Sequence, residues 1–345
     1  MVARMSLSVS LESGSRLDEA LDALLDDEPH LPGRSFARWV ERPDAAARFH
    51  RTRWRRAAGG LGAVVVRDST DRPLATVQLE RRAFESTHFG IEMAKIEPPV
   101  AVADDGLRRR ALKAAYGAAF ETLRTAGYAH VVARATAADR ATCWTAQELG
   151  GFYVGTKISW MAALDGRAND HPIRDGLTYE VYGKDNIAQL DRSRWKRLAD
   201  WSHSAFDRGP LVNDLGLPVG RAGELYGVWT DKAMTCEWAD ALLLVCDGDE
   251  VVSFHSMMVL EDLSAAVDQT ILGRGIGGTL PGYQGLFTAL QRETIARRPM
   301  GATFLEDETQ AANLASINVF GRMGHRCLHS AASFHFHLGG VCLQR

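Results

Sequence analysis

Two short stretches carry residue types that could bind an anion or move a proton. The first is "GGTLPGYQGLF" at residues 277–287, which lies between a strand-like apolar stretch and a segment with helical periodicity. A glycine-rich turn at a helix start directs free backbone N–H groups at a ligand, and phosphate is the ligand that such groups favour. The stretch fits neither the P-loop pattern nor the dinucleotide fingerprint, so its spacing alone does not identify the phosphate compound. A plain turn is the competing interpretation.

The second stretch is an acidic strand end, "GATFLEDE", where a carboxylate could act as a general base. Strand alternation puts Glu306 and Glu308 on one face and Asp307 on the other. Glu306 is the candidate catalytic carboxylate, and helix-start capping is the alternative role for the cluster. His203 in "WSHSAF" is a second candidate for proton transfer, with a structural role as its alternative.

A polar helix face follows the acidic strand in "AANLASINVFGRMG". Asn313, Ser316 and Phe320 are spaced at i, i+3 and i+7, so they line one side of a helix. Asn313 could order a bound substrate, or it could simply satisfy the backbone at the helix start.

The last predicted strand, "SFHFHL", presents two histidines. His335 and His337 alternate with phenylalanines, so both imidazoles point to one face. These imidazoles could form a metal pair or could contact an acceptor substrate, but the sequence offers no evident third metal ligand, and no metal site is predicted. Asp207 and Asp214 could bind an amine or shape a loop. Two further candidates of the same rank lie on predicted central strands: His255 and Asp268.

Composition limits the function classes. The 345 residues are enough for two or three domains, and 46% apolar with 24% charged residues is ordinary for a globular protein. The net charge of −3 argues against a dedicated nucleic-acid binder. Five dispersed cysteines without a C-x-x-C pair predict free thiols in a reducing compartment. Neither a membrane span nor a secretion signal is visible, so we expect a cytoplasmic protein.

The elements that must position these residues alternate between strands and helices. Residues 1–60 are predicted as mainly helical, and later strands include "FGIEMAKIE" and one long strand, "AVDQTILGRGIGGTLP". The polar stretch at 164–176 is predicted as a linker between domains at 1–165 and 166–345. Both halves contain a strand, a helix, a glycine and a strand in that order, which indicates related half-domains.

The second half resembles the GNAT acyltransferase superfamily. Members have a long strand ending in an apolar-x-Pro step, an Arg/Gln-Gly-x-Gly loop and a helix whose start receives the CoA pyrophosphate. A second motif has Asn, a small residue at +3, an aromatic at +7 and Gly at +11, and here Asn313, Ser316, Phe320 and Gly324 fill it. The residues that match the first motif are Thr279, Leu280, Pro281, Gly282, Tyr283, Gln284, Gly285, Leu286 and Phe287.

Over residues 60–340 the order of elements is similar to the TDP-fucosamine acetyltransferases, which pair a degenerate GNAT half-domain with a complete one. "STHFGIEMAKIE" (86–97) occupies the place of that family's aromatic strand, and "WSHSAF" resembles its His-Ser-x-Phe segment. The resemblance implies an α/β (α+β) fold. Two tandem GNAT-like domains, each a mixed, largely antiparallel sheet flanked by helices, would follow extra N-terminal helices.

The resemblance also implies an N-acyltransferase that moves an acyl group, acetyl being the expected case, from acyl-CoA to a primary amine of a small molecule such as an amino sugar. The long strand and "ATFLEDE" would splay apart, and backbone groups near Gly278, Thr279 and Leu280 would hold the pantetheine arm. Gln284, Gly285 and Leu286 would bind the pyrophosphate through their N–H groups. The remaining implied site residues are Phe287, Asn313, Ser316 and Phe320.

Two departures from the family pattern keep alternatives open. Phe320 stands where many members have a tyrosine that protonates the departing thiolate, and the loop lacks the second glycine of the pattern. A carrier-protein thioester or an aminoacyl-tRNA is therefore an alternative donor, and a non-catalytic GNAT-like binding protein is a further alternative. The sequence leaves the oligomeric state open.

Overall fold

The computed structural model describes residues 6–26, 28–32, 34–57, 61–167, 169, 173–205 and 209–339. These residues form two compact units. The first comprises the described residues within 1–157, 213–218 and 329–345, and the second comprises those within 158–212 and 219–328. The division at residue 165 concerns family domains and stays a prediction. No helix in the described ranges has the length and apolarity needed to cross a membrane.

The first unit is built on a sheet in the order β1-β2-β3-β4-β6-β14-β7, with β5 paired to β3. Valine-rich β2 is buried along its whole length, as expected of a strand covered on both faces. The pair β4–β6 is parallel, whereas β1–β2, β2–β3, β3–β4 and β6–β14 are antiparallel. The strands are β1 Ser8–Glu12, β2 Ala63–Arg67, β3 Pro73–Arg81, β4 Met93–Ile96, β5 Val100–Ala101, β6 His130–Thr136, β7 Phe152–Ala163 and β14 Arg326–His337. Residues 158–163 of β7 and 326–328 of β14 belong to the second unit.

Helix α5 covers this sheet with a regular apolar stripe. Ala111, Leu112, Ala115, Tyr116 and Ala119 recur at helical spacing and are buried in the core of the unit. The helices of the unit are α1 Gly14–Leu25, α2 Arg34–Trp39, α3 Ala45–Ala57, α4 Ala83–Phe89, α5 Asp105–Thr125 and α6 Arg140–Glu148.

The second unit repeats this plan with a sheet in the order β7-β13-β11-β10-β9-β8 and with β12 paired to β10. The pair β11–β13 is parallel, as β4–β6 is in the first unit, and β8–β9 and β9–β10 are antiparallel. Its further strands are β8 Leu177–Gly183, β9 Ala241–Asp247, β10 Glu250–Val259, β11 Ile271–Gly273, β12 Gly277–Thr279 and β13 Phe304–Gln310. Its helices are α7 Lys196–Ala205, α8 Val219–Met234, α9 Glu261–Val267, α10 Leu286–Arg297 and α11 Leu314–Arg322.

The predicted fold class is confirmed: mixed α/β units with mainly antiparallel sheets and flanking helices. The described part of residues 1–60 is mainly helical, as predicted, with strand β1 before the first helix. Other local predictions are wrong. Residues 86–89 end helix α4 rather than begin a strand, and the predicted long strand is a helix end followed by the short strands β11 and β12. Asp268 accordingly ends α9 in a left-handed conformation, with φ 57°, rather than lying on a strand.

The prediction of free thiols holds for the described residues, and the reducing compartment stays a prediction. Cys143, Cys236, Cys246 and Cys327 are free thiols. Two residues of the earlier predictions, Cys342 and Asp207, lie outside the described ranges.

Candidate functional site

The sheet of the second unit opens between β11 and β13. Their parallel pairing starts at Ile271 and Phe304 and ends at Gly273 and Glu306. After this point the chain continues as β12, which pairs with β10 and with no other strand in the described part of the sheet. The opening predicted between the central strand and "ATFLEDE" therefore exists, although two short strands form one side of it.

The hydrogen bonds of β12 show which backbone groups face the opening. Leu280 N–H donates to the Val252 carbonyl at 2.9 Å, and Ser256 N–H donates to the Ile276 carbonyl at 2.9 Å. Antiparallel bonding alternates along a strand, so Gly278 also faces β10. The backbone groups of Gly277 and Thr279 consequently point to the opposite edge, where an extended ligand could add as a strand. Of the three predicted backbone positions, only Thr279 presents its N–H and C=O groups there.

The loop after β12 leads to an uncapped helix start. Gly285 is the N-cap of α10 with φ 92°, a conformation that suits glycine, and no side chain caps the helix. Leu286 N–H donates to the Tyr283 carbonyl at 3.3 Å, so it is engaged within the loop. Within the described residues, no acceptor bonds the N–H groups of Gln284, Gly285, Phe287 and Thr288.

One cation stands beside this helix start. The exposed Arg174 donates from its guanidinium to the Gln284 carbonyl at 3.2 Å. Gln284 and Gly285 are also exposed, so a phosphate group has access to the loop. Free N–H groups, the positive end of the helix dipole and a guanidinium together favour an anion. Arg174 lies in the predicted linker and belongs to no motif, so its positive charge was the only sequence feature that could have marked it as a binding residue.

Aromatic side chains line the second unit beside the opening. The Phe287 and Phe320 rings have centroids 6.4 Å apart, and Trp160 lies 6.0 Å from Phe320. Phe320 is buried. Because it is a phenylalanine, the +7 position of the α11 motif has no hydroxyl group that could donate a proton. The two predicted phenylalanines therefore lie together.

A carboxylate with two imidazoles lies on the same side of the sheet as Phe287. Asp307 Oδ1 is 3.4 Å from His255 Nε2, and Asp307 Oδ2 is 3.2 Å from His325 Nε2. Both are ion-pair distances, and the atoms of the Asp307–His325 contact lack the alignment of a hydrogen bond. Gln291 donates to Asp307 Oδ1 at 3.4 Å. Burial alone would raise the pKa of Asp307, but His255 and His325 outweigh burial and hold this pKa well below its usual range.

His255 connects this cluster to the opening. It lies opposite Gly277 in the register of β10 and β12, and its ring packs edge-on against Phe287 with centroids 5.6 Å apart. An imidazole oriented by a carboxylate is a common arrangement for a general base. Sequence reasoning ranked His255 with minor candidates and missed His325, because neither belongs to a local motif.

The other predicted residues fall into two groups. Asn313 caps α11, since its Oδ1 accepts from Ser316 N–H at 3.2 Å and its Nδ2 donates to Ser316 Oγ at 2.9 Å. Glu306 is buried beside Arg274, with 3.6 Å between Oε2 and Nε. His203 is exposed on α7, with its ring against Gly227 of α8, and no contact joins it to Glu306 or Asn313 in the described structure.

The corresponding place in the first unit is closed by its own side chains. Strand β5 pairs with β3, as β12 pairs with β10, and Ala101 points away from β3. Its N–H donates to Glu28 Oε2 at 2.7 Å, and its carbonyl accepts from the Arg108 guanidinium at 2.8 Å. Asp104 caps the following helix by accepting from Leu107 N–H at 2.7 Å. A carboxylate at that helix start disfavours phosphate, so only the second unit offers the open arrangement.

Comparisons with known proteins support the same fold. No family model matches the chain, and no curated protein matches it in sequence. The chain is similar in structure to a GCN5-related N-acetyltransferase from Sphaerobacter thermophilus, with TM-score 0.58, 15% identity and 96% of each chain covered. It is also similar to a tandem GNAT protein from the clavulanic acid biosynthesis pathway, with TM-score 0.52, 13% identity and coverage of 97% of this chain and 99% of that one.

A third solved structure is the glucosamine N-acetyltransferase region of a fungal multi-domain GH3 beta-N-acetylglucosaminidase. It has TM-score 0.56 and 14% identity, and the match covers 97% of this chain and 38% of that one. The chain therefore has the fold of the GCN5-related N-acetyltransferases, in a tandem arrangement.

Proposed function

We propose that the second unit is an N-acyltransferase that moves an acyl group from acyl-CoA to a primary amine of a small molecule. One observation carries the proposal: a single segment, residues 277–288, combines an open strand edge with an uncapped, exposed helix start. An acyl-CoA has the matching parts in the same order, an amide-containing arm followed by a diphosphate. The first unit, where Glu28, Arg108 and Asp104 occupy these places, would bind no donor.

The donor would be held by backbone groups and one side chain. Gly277 and Thr279 would bond the amides of the arm, and the N–H groups of Gln284 and Gly285 would bind the diphosphate. Arg174 would add a positive charge beside them. Phe287 and Phe320 would exclude water from the thioester, since the Phe287 ring lies against Gly277 and packs on Phe320.

The acceptor amine must lose a proton before or while it attacks the thioester carbon. The C–S bond then breaks, and the CoA thiolate leaves with the electron pair. We assign proton removal to His255, oriented by Asp307, because this imidazole lies opposite Gly277 at the open strand. Glu306 on the other face of β13 is the competing base. An amino sugar is the first acceptor class to test, since one solved neighbour is named a glucosamine N-acetyltransferase.

Direct binding and turnover test the proposal. Acetyl-CoA is titrated into the full chain by calorimetry, and a panel of amines is then screened for release of free CoA thiol. We expect about one donor molecule per chain, because Glu28 and Arg108 occupy the corresponding place in the first unit and exclude a second donor molecule. Thiol release that requires a holo carrier protein or a charged tRNA would instead select the alternative donors, and binding without transfer would select a non-catalytic role.

Substitutions at Gly285 locate the donor. Glu and Gln at this position share the strain of φ 92° and have nearly the same volume, so only Glu adds a charge. A unit charge about 4 Å from a phosphate at a protein surface costs about 1 to 4 kcal/mol. We therefore expect Gly285→Glu to bind acetyl-CoA roughly 5- to 700-fold more weakly than Gly285→Gln. Equal affinities in the two variants would refute diphosphate binding at this helix start.

A further inference from the structure

A buried cluster of three histidines and one aspartate in the first unit takes no part in the proposed reaction. His130 lies on β6, His335 and His337 lie on β14, and Asp214 lies in the segment 213–218. These four residues thus come from three chain segments that are far apart in sequence but belong to one compact unit.

The strand register places the imidazoles side by side. In the antiparallel pair β6–β14, His337 lies directly opposite His130, and His335 is two residues away on the same face. The His130 ring centroid is 4.8 Å from that of His335 and 5.0 Å from that of His337. Phe152 stacks on the His337 ring at 5.4 Å and fixes its plane.

The segment 213–218 brings the carboxylate onto this face. Asn213 Nδ2 donates to the Val154 carbonyl at 2.8 Å, which anchors the segment next to Asp214. Gly216 allows the close approach, because a Cβ atom there would lie 2.5 Å from the His337 ring. Its N–H donates to Asp214 Oδ1 at 2.9 Å.

The four side chains converge on a small volume. Asp214 Oδ2 lies 2.6 Å from His335 Nδ1 and 2.8 Å from His130 Nε2, and Asp214 Oδ1 lies 3.2 Å from His337 Nε2. One ligand atom from each of His130, Asp214 and His335 lies within 4.8 Å of the other two. The side chains of these three residues are fully buried.

The charge of Asp214 needs compensation in this place. A buried carboxylate without a partner cation is unfavourable by several kcal/mol. In the described part of the chain, the only ion-pair partners of Asp214 are the three imidazoles, which carry no charge when neutral. A divalent cation would supply the missing charge.

We propose that His130, Asp214, His335 and His337 bind one zinc ion. Three imidazole nitrogens and one carboxylate oxygen form a ligand set that zinc favours, and four protein ligands leave no open position for substrate. The ion would join β6, β14 and the segment 213–218 as a structural element of the first unit. The sequence supplied His335 and His337 as a pair, and the fold adds the two missing ligands.

Metal content and its dependence on the ligands test the site. The full chain is stripped with a chelator, then titrated with Zn²⁺ and, separately, with Co²⁺, whose visible absorption reports a four-coordinate site. We expect about one ion per chain. Asp214→Asn and His335→Gln should weaken zinc binding by at least about 100-fold, since even residues that only orient metal ligands change affinity by 10- to 100-fold. His88→Gln, a histidine of the same unit outside the cluster, should bind as the wild type does.

Thermal unfolding provides a second measurement that does not depend on variant folding. Chelation should lower the melting temperature of the wild type, and added Zn²⁺ should restore it. A wild-type chain that binds no Zn²⁺ in the micromolar range would overturn the proposal and identify the cluster as a hydrogen-bonded network. Unchanged zinc affinity in both Asp214→Asn and His335→Gln would also overturn it.

Discussion

Replacement of Arg108 by methionine should unfold the first unit far more readily than any exposed arginine change. The guanidinium is 1% exposed. It lies 2.8 Å from Glu28 Oε2, 2.6 Å from Asp139 Oδ2 and 2.8 Å from the Ala101 carbonyl. Methionine has a similar length but no charge, so Arg108→Met leaves two buried carboxylates without their cation.

The expected loss is about 3 to 5 kcal/mol in the free energy of unfolding of the first unit, the range measured when one partner of a buried ion pair is removed. Neighbouring Arg109 provides the matched control. It pairs with Glu148, and its side chain is 45% exposed. Because exposed ion pairs contribute about 0 to 1 kcal/mol, Arg109→Met should change stability by no more than that.

Hydrogen exchange of the α5 amides measures this free energy in the intact chain, because it reports opening of the first unit even when the second stays folded. The triple change Arg108→Met, Glu28→Gln and Asp139→Asn removes all three charges and should recover most of the loss. Equal exchange in Arg108→Met and Arg109→Met would refute the reasoning, and so would a triple variant no more stable than Arg108→Met.

Three further predictions concern pH, proton transfer and packing. Burial lowers the pKa of His50 to about 4, whereas the same imidazole in the unfolded chain has a pKa of about 6.5. As pH drops, the unfolded chain therefore binds a proton before the folded chain does. The free energy of unfolding should fall by about 3 kcal/mol between about pH 6.5 and pH 4. In the amine acetylation assay, Asp307→Asn should lower kcat by about 100-fold or more while Glu306→Gln changes it less than about threefold. Gly275→Ala should destabilise the second unit by more than about 2 kcal/mol in urea unfolding, because its Cβ would lie 1.6 Å from the Ser256 carbonyl oxygen.

Each of these has a discriminating outcome. His50→Gln should flatten the pH dependence of stability, and a variant as pH-sensitive as the wild type would contradict the assignment to this imidazole. If Glu306→Gln loses activity and Asp307→Asn keeps it, the base lies on the opposite face of β13. If Gly275→Ala leaves the urea midpoint unchanged, β10 and the chain before β12 are farther apart than described.

The fold class and most elements could be predicted from the sequence, because periodicity and turn residues encode them locally. The apolar stripe of α5 and the valines of β2 are examples. The break between β11 and β12 could not be predicted in this way. The segment 271–280 is mainly apolar and glycine-rich, and the interruption depends on close packing of Gly275 against Ser256.

Only part of the candidate site could be predicted from the sequence. The loop and the phenylalanines were found because they form motifs of fixed spacing. His255 lies on β10, Asp307 lies on β13 and His325 directly precedes β14, and only the fold brings them together. For Asn313 the motif position was evident from the sequence, but the role of its amide was not. Whether the amide faces a ligand or its own helix depends on side-chain geometry.

The return of β14 to β6 has a consequence for synthesis on the ribosome. Residues 158–328, which include the whole second unit, leave the ribosome before residues 329–337. During synthesis an N-terminal domain usually folds before the domain that follows it. Here the first unit cannot be completed until after the whole second unit has been synthesised, because its last strand comes at the end of the chain. Until that strand arrives, the edge of β6 is unpaired and open to chaperones or to other chains. A chain cut short before residue 329 should keep this exposed edge permanently.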